Sequence, residues 1–228
     1  MSTQSEQSGV SVVPETISNA QKTALFSMID EAMNIMEGDK KYSQDDVALG
    51  AIHNVKSWPS DPGKTYVYRS NSIPSAAIEF STMSDPSNYS DDRNLVPIVP
   101  KAFSIYFRDS VSGVDREELE RRLSLGNFWI DIDGNRHDGN SLQPSPPSIQ
   151  LRVYRYRVKS ERSSPVPVDV ELSFFDAKEG DEHTAPVLNS IEFRRAYPYL
   201  TPAMRKQKRD EAAARANAAY GKSRGGEQ

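Results

Sequence analysis

The chain has 228 residues, 36% of them hydrophobic and 26% charged, with a formal net charge of −4 and a mean hydropathy of −0.66. That supports one sizeable core or two small ones, and 15 prolines point to extensive loops and tails. The absence of cysteine excludes disulfide frameworks, thiolate nucleophiles and cysteine-ligated zinc or iron–sulfur centres.

Residues 1–13, rich in Ser and Gln at the start, read as a disordered arm without the basic and apolar regions of a secretory signal. No apolar run approaches the roughly 18 residues that a membrane-spanning helix requires. The expectation is a soluble, cytoplasmic protein with no membrane span. Pro14 and Glu15 introduce a helix to about Glu37. Leu25, Met28, Ile29, Ala32, Ile35 and Met36 recur at three- and four-residue spacing, and Gly38 supplies the stop. A second, shorter helix is predicted from Ser43 to Val55. Asp45 and Asp46 lie in its first turn, Val47, Ala48, Ala51, Ile52 and Val55 form one stripe, and Trp58-Pro59 ends it. His53 then falls beside that stripe, at the edge of the core.

From Pro62 the apolar period shortens towards two. Short strands are predicted at 65–69 and 76–82, and a clearer one at 101–109 with Phe103, Ile105 and Phe107 on one face. A charged helix over 115–125 docks through Leu119 and Leu123 only. Residues 127–133 alternate Phe128, Ile130 and Ile132 with Trp129, Asp131 and Asp133, and Asp133-Gly134-Asn135 is a hairpin signal. Residues 144–147 form a rigid proline-rich connector. Strands follow at 148–159, at Val166 to Phe174 in strict alternation, and at 187–194.

Six or seven strands at short spacing, with few helices between them, predict an α+β, β-rich fold. The expected architecture is an antiparallel β-sandwich or barrel with an N-terminal helical pair, one inserted helix and a projecting C-terminal helix. The expected organisation is the arm 1–13, a single β-rich globular domain over 14–200, and a basic, alanine-rich helical tail over 201–228. Seven of the 28 basic and three of the 32 acidic residues lie in that tail, a local net of +4. The first 200 residues keep 21 basic and 29 acidic residues, a net of −8. Alanine favours the helix but buries little area, so the tail projects from the body or docks on a partner.

Positive charge and aromatic surface coincide in one place. Arg152, Tyr154, Arg155, Tyr156 and Arg157 interleave along one predicted strand and form the candidate ligand-binding set. Arginines on one strand face can pair with phosphate while tyrosines stack on bases. The same arginines can instead pair with carboxylates such as Asp169 and Glu171 on the next strand. The apolar phase reverses near Val153 and Tyr154, which predicts a bulge or a change of packing partner.

The segment Asp131–Asp138 offers a second constellation. Asp131 and Asp133 share a strand face, with His137 and Asp138 nearby, so a hard-metal site or an acid–base pair is conceivable. A calcium loop fits poorly, because Arg136 and Leu142 occupy the turn-glycine and bidentate-glutamate positions. A hairpin tip explains the same residues without chemistry. His183 sits alone in an acidic loop. No nucleophile elbow, phosphate loop, dinucleotide fingerprint or zinc-protease motif occurs.

Together these features predict a non-enzymatic binding or structural protein that requires no cofactor. It engages a protein partner or copies of itself through its ends. A single-stranded RNA-binding or coat-like protein is the alternative, and a metal-assisted hydrolase on Asp131, Asp133 and Asp138 a weaker one.

Overall fold

The computed structural model describes residues 14–38, 40–59, 61–86, 95–142, 151–159, 166–176, 185–196 and 201–224. The expectations for residues 1–13, for the connector 144–147 and for His183 lie outside them. Strand β1 (Glu15–Thr16) pairs in parallel with Val111 and Ser112, so the predicted first helix starts later than expected. Helix α1 (Asn19–Glu37) opens on a capping box. Ser18 Oγ accepts the Gln21 N–H at 3.3 Å, and Gln21 Oε1 accepts the Ser18 N–H at 2.9 Å. Gly38 closes it at φ 85°, its N–H donating to the Ile35 carbonyl. The buried face of α1 carries Leu25, Met28, Ile29, Ala32, Met33, Ile35 and Met36, the stripe legible in the sequence with Met33 added.

The predicted second helix is not formed. Asp46 caps a single 3-10 turn, Val47–Leu49, and the chain then runs into strand β2 (Ala51–Trp58), which carries His53. Gly50 decides between the two readings. It adopts φ 104° and ψ −166°, a region only glycine occupies readily, and a Cβ there would stand 2.5 Å from the Arg69 carbonyl oxygen. A helix cannot pass through that conformation, so Ala51, Ile52 and Val55 belong to a strand. Among the described residues there is accordingly one N-terminal helix, not a pair.

The remaining elements in chain order are β3 (Asp61–Arg69), β4 (Ala76–Ser84), β5 (Ile98–Ser112), α2 (Arg116–Arg122), β6 (Phe128–Ile130), β7 (Arg136–Asp138), β8 (Leu151–Arg157), β9 (Val168–Phe175), β10 (Val187–Arg195) and α3 (Pro202–Arg224). The sheet runs β2-β3-β4-β5-β10-β9-β8, antiparallel throughout, with β1 attached beside β5. The β-rich α+β class is as expected. The sheet is not closed into a barrel. Nor do two comparable sheets face each other among the described residues, where the only further pairing of strands is the β6–β7 hairpin.

The two faces of the sheet separate by side-chain parity. One face carries the register Tyr66–Phe80–Phe103–Phe193–Val170–Tyr156 and, beside it, Tyr68–Ile78–Ile105–Ile191–Leu172–Tyr154. These rows and the apolar stripe of α1 form one core, with α1 lying over β5 and β10. The other face carries Ser104–Glu192–Glu171–Arg155 and Ala102–Arg194–Asp169–Arg157. Helix α3 touches the β6–β7 hairpin through Arg205 Nη1, which donates to the Gly134 carbonyl at 3.2 Å. Beyond it, every described side chain of α3 is exposed.

Candidate functional site

Strand β8 carries all five candidate residues, but its pleat divides them between the two faces. Its register with β9 is unbroken from Leu151↔Phe175 to Arg157↔Asp169, so no bulge causes the phase reversal. The cause lies in what each face meets. Tyr154 and Tyr156 lie on the face of the apolar core, whereas Arg155 and Arg157 lie on the charged face. Arg152, on the tyrosine face by parity, sits at the strand's exposed end.

Each arginine is committed to a carboxylate. Arg157 Nε and Nη2 meet Asp169 Oδ1 and Oδ2 at 2.5 and 3.3 Å, with both residues buried. Arg155 Nη2 donates to Glu171 Oε2 at 2.8 Å, its partner on β9. Arg152 Nε pairs with Asp176, which raises the guanidinium's affinity for its proton. One strand further, Arg194 makes two 2.6 Å bonds to Glu192, and these bonds hold its pKa above the ordinary value although burial opposes them. Four arginines thus face four carboxylates, and the three pairs made by Arg155, Arg157 and Arg194 render this part of the charged face a neutral lattice. The pairings to Asp169 and Glu171 are those available from cross-strand logic. The pairing to Asp176 requires the folded strand ends.

The tyrosines line a separate cleft of about 270 Å³ between β8, α2 and the loops at Gly126 and Asn140. Tyr156 Oη donates to Glu120 Oε1 at 2.7 Å, and Arg116 Nε meets the same oxygen at 3.3 Å. Burial, and then the adjoining Glu120 carboxylate, push the Tyr156 hydroxyl far above its usual pKa, so it stays a neutral donor. The Arg116 guanidinium lies 4.4 Å from the Tyr154 ring centroid. Every charged group of the cleft already has a partner, which makes it a satisfied joint between α2 and the sheet. Neither Arg116 nor Glu120 was singled out in the sequence, because only the docking of α2 brings them to β8.

The hairpin β6–β7 stands beside the charged face. Arg155 lies 4.9 Å from the Trp129 ring centroid, and Trp129 stacks on His137 at 4.2 Å. Asp131 accepts from Asp133 N–H at 3.0 Å, Asn135 N–H at 2.8 Å, Asn135 Nδ2 at 3.0 Å and His137 Nε2 at 2.8 Å. Asp138 is tied to Arg136 at 3.1 Å. These carboxylates therefore build the turn, and among the described residues no three His, Asp or Glu side chains are grouped to hold a metal. Partial burial works against the charge of Asp131. The bonds from His137 and Asn135 nevertheless hold its carboxyl well below the usual range.

A depressed carboxyl binds its proton more weakly in the folded hairpin than in the unfolded chain. Its stabilisation is complete above the ordinary carboxylate pKa of about 4 and is lost as pH falls through the depressed value. Tryptophan fluorescence between roughly pH 6 and pH 1, the span over which a depressed carboxylate titrates, is expected to show the Trp129–His137 stack opening at the acid end. Asp131→Asn is expected to remove that transition and loosen the stack already at neutral pH.

His53, expected on a helix at the core edge, lies on the exposed strand β2 with Arg69 Nη2 2.9 Å from its Nε2. Strand β2 itself was missed as a site element, because the sequence reading made it helical. Comparison with protein-family models, with curated proteins and with solved structures gives no match for this chain.

Proposed function

We propose that the protein is a non-enzymatic binding or structural protein, and that helix α3 is its docking element for the acidic body of a second copy. The reading rests on one observation. Over Pro202–Arg224 the helix carries seven Lys or Arg against two Asp or Glu, its described side chains beyond Arg205 are exposed, and the first 200 residues carry a net −8. An amphipathic apolar face is absent from α3, so its attraction is electrostatic and acts over the Debye length of about 8–10 Å at ordinary salt.

The arginines of β8 contribute little to this reading, since they already face Asp176, Glu171 and Asp169. Single-stranded RNA along Arg152, Arg155 and Arg157 would have to displace those carboxylates, whereas α3 offers basic side chains on an exposed helix. RNA is therefore the alternative ligand of α3 and not of β8.

Removal of residues 202–228 tests the proposal. Size exclusion with light scattering and absorbance at two wavelengths, roughly the nucleic-acid and protein maxima, is run at low and high salt. The full chain is expected to gain mass at low salt and to lose that increment at high salt, without nucleic-acid absorbance, and the shortened chain to show no such increment. Identical mass and salt response in both chains overturns the reading. Nucleic acid retained only by the full chain transfers the role to RNA binding.

A further inference from the structure

The sheet has two ends, and they are finished differently. Beyond β8 the edge is occupied. Gly126 N–H donates to the Arg157 carbonyl at 2.8 Å, Leu142 N–H to Val153 and Arg155 N–H to Asn140 at 3.0 Å, and Asn140 Nδ2 to the Arg155 carbonyl at 2.7 Å. At the other end, nothing among the described residues pairs with the outer edge of β2. All eight residues of β2 are exposed.

A long, open edge strand is a template for another strand, and proteins commonly blunt such edges with charge, proline or bulges. Here the only charged side chain of β2, Lys56, is folded back onto Glu79 at 2.8 Å. Asn54 Oδ1 receives the N–H of Val55 at 2.8 Å. No proline lies within β2. Register shifts fall at His53 and between Ser57 and Trp58, leaving Asn54–Ser57 as the regular stretch. Ile52 and Val55 share the face of Tyr68 and Tyr66, so the apolar face continues past the buried core and ends uncovered, with Ile52 38% and Val55 41% exposed.

We propose that β2 is a homotypic docking edge, which pairs antiparallel with β2 of a second copy about a two-fold axis through Val55. This register sets Val55 opposite Val55 of the second copy, Asn54 opposite Lys56, and Ile52 at the same end as Trp58. Apolar positions meet apolar and polar meet polar, and no like charges stand opposed. That self-complementarity selects a second copy over an unrelated strand. The occupied β8 edge then limits growth, because a copy can offer β2 only to β2, which closes a dimer and forbids a filament. The interface is short and of the weak, transient class, below about 1,200 Å². Being built of backbone bonds and apolar contact, it is insensitive to salt, unlike the contact proposed for α3.

The chain has no cysteine, so one introduced thiol can form only an interchain disulfide. Directly opposed antiparallel residues have Cα atoms about 4.5–5.5 Å apart, within the disulfide range. Val55→Cys in the full chain, oxidised at about 0.5 M salt where screening suppresses contacts of α3, is the trapping experiment. Glu117→Cys, with its side chain 77% exposed on α2, is the control. Val55→Cys is expected to cross-link at least about tenfold faster than the control, since proximity raises the effective concentration. Sedimentation equilibrium of the cysteine-free protein is expected to show a concentration-dependent dimer that survives high salt and removal of residues 202–228. Val55→Lys, which sets two ammoniums opposite each other, is expected to abolish it while leaving the circular dichroism unchanged. Equal cross-linking rates for the two thiols, or a dimer that Val55→Lys leaves intact, overturns the proposal. Complete loss of association, down to the monomer, on truncation or at high salt also overturns it, and favours the α3 reading alone.

Discussion

Arg157→Met is expected to destabilise the fold by about 3–5 kcal/mol, the cost of breaking a buried ion pair by removing one of its members. Arg157 and Asp169 have side chains only 10% and 11% exposed, and they face each other across β8 and β9. Asp169 loses two donors when the guanidinium goes. Asp169→Leu is expected to cost a similar amount by removing the other member of the pair. Joining the two changes removes both charges together, and a buried pair replaced by apolar groups of similar volume is often neutral. The double variant is therefore expected to be more stable than either single one. Urea denaturation of the four proteins gives the cycle directly. Single-variant losses below about 1 kcal/mol, the value typical of exposed pairs, would show that the lattice is a surface feature. Thermal midpoints should follow at about 2–4 °C per kcal/mol for a chain of this size.

The same pair shows how much of the site was legible in the sequence. The alternation Val168, Val170, Leu172, Phe174 placed Asp169 and Glu171 on one face of a strand following Arg155 and Arg157, and that placement is enough to pair them. The trapping of Arg116 and Glu120 against Tyr154 and Tyr156 was not legible. It depends on α2 folding back along β8, a contact between residues about 36 apart in sequence, as for Tyr156 and Glu120, that no local spacing encodes. Helix α1 was legible because its stripe and Gly38 agree with one another, although its start, at the capping box of Ser18 and Gln21, was placed too early. The segment 43–55 was not, because Val47, Ala48, Ala51, Ile52 and Val55 satisfy a helical spacing while Gly50, whose backbone forbids it, looks harmless in the sequence. The cost of that misreading was functional, since it concealed the open edge of the sheet. Closure was also beyond reach of strand counting. Whether seven strands form a barrel depends on what each edge meets, and here loops meet β8 while nothing described meets β2.

Phe103→Ala is the second substitution expected to have a large effect, about 3–5 kcal/mol for the transfer and cavity costs of a buried phenylalanine. Phe103 is fully buried on β5, opposite Phe80 on one side and Phe193 on the other. Ring centroids stand 6.3 Å from Phe80 and 5.5 Å from Phe193, and Tyr42 stacks on Phe80 at 4.5 Å. Strand β5 joins β2-β3-β4 to β10-β9-β8, so the cavity opens at the junction between the strands that bear the free edge and those that bear the charged lattice. A partner substitution cannot relieve it, because the neighbouring rings would only enlarge the void. Phe103→Leu is expected to cost much less, since it keeps most of the volume. Hydrogen exchange separates this effect from that of Arg157→Met. In the parent protein, protection is expected to be greatest in β5, β4 and β10 and least in β2, which has neighbours on one side only. Phe103→Ala is expected to lower protection in β4, β5 and β10 together. Arg157→Met is expected to act first on β8 and β9. A loss confined to β2 in either variant would mean that the sheet's two halves do not share the core drawn through Phe103.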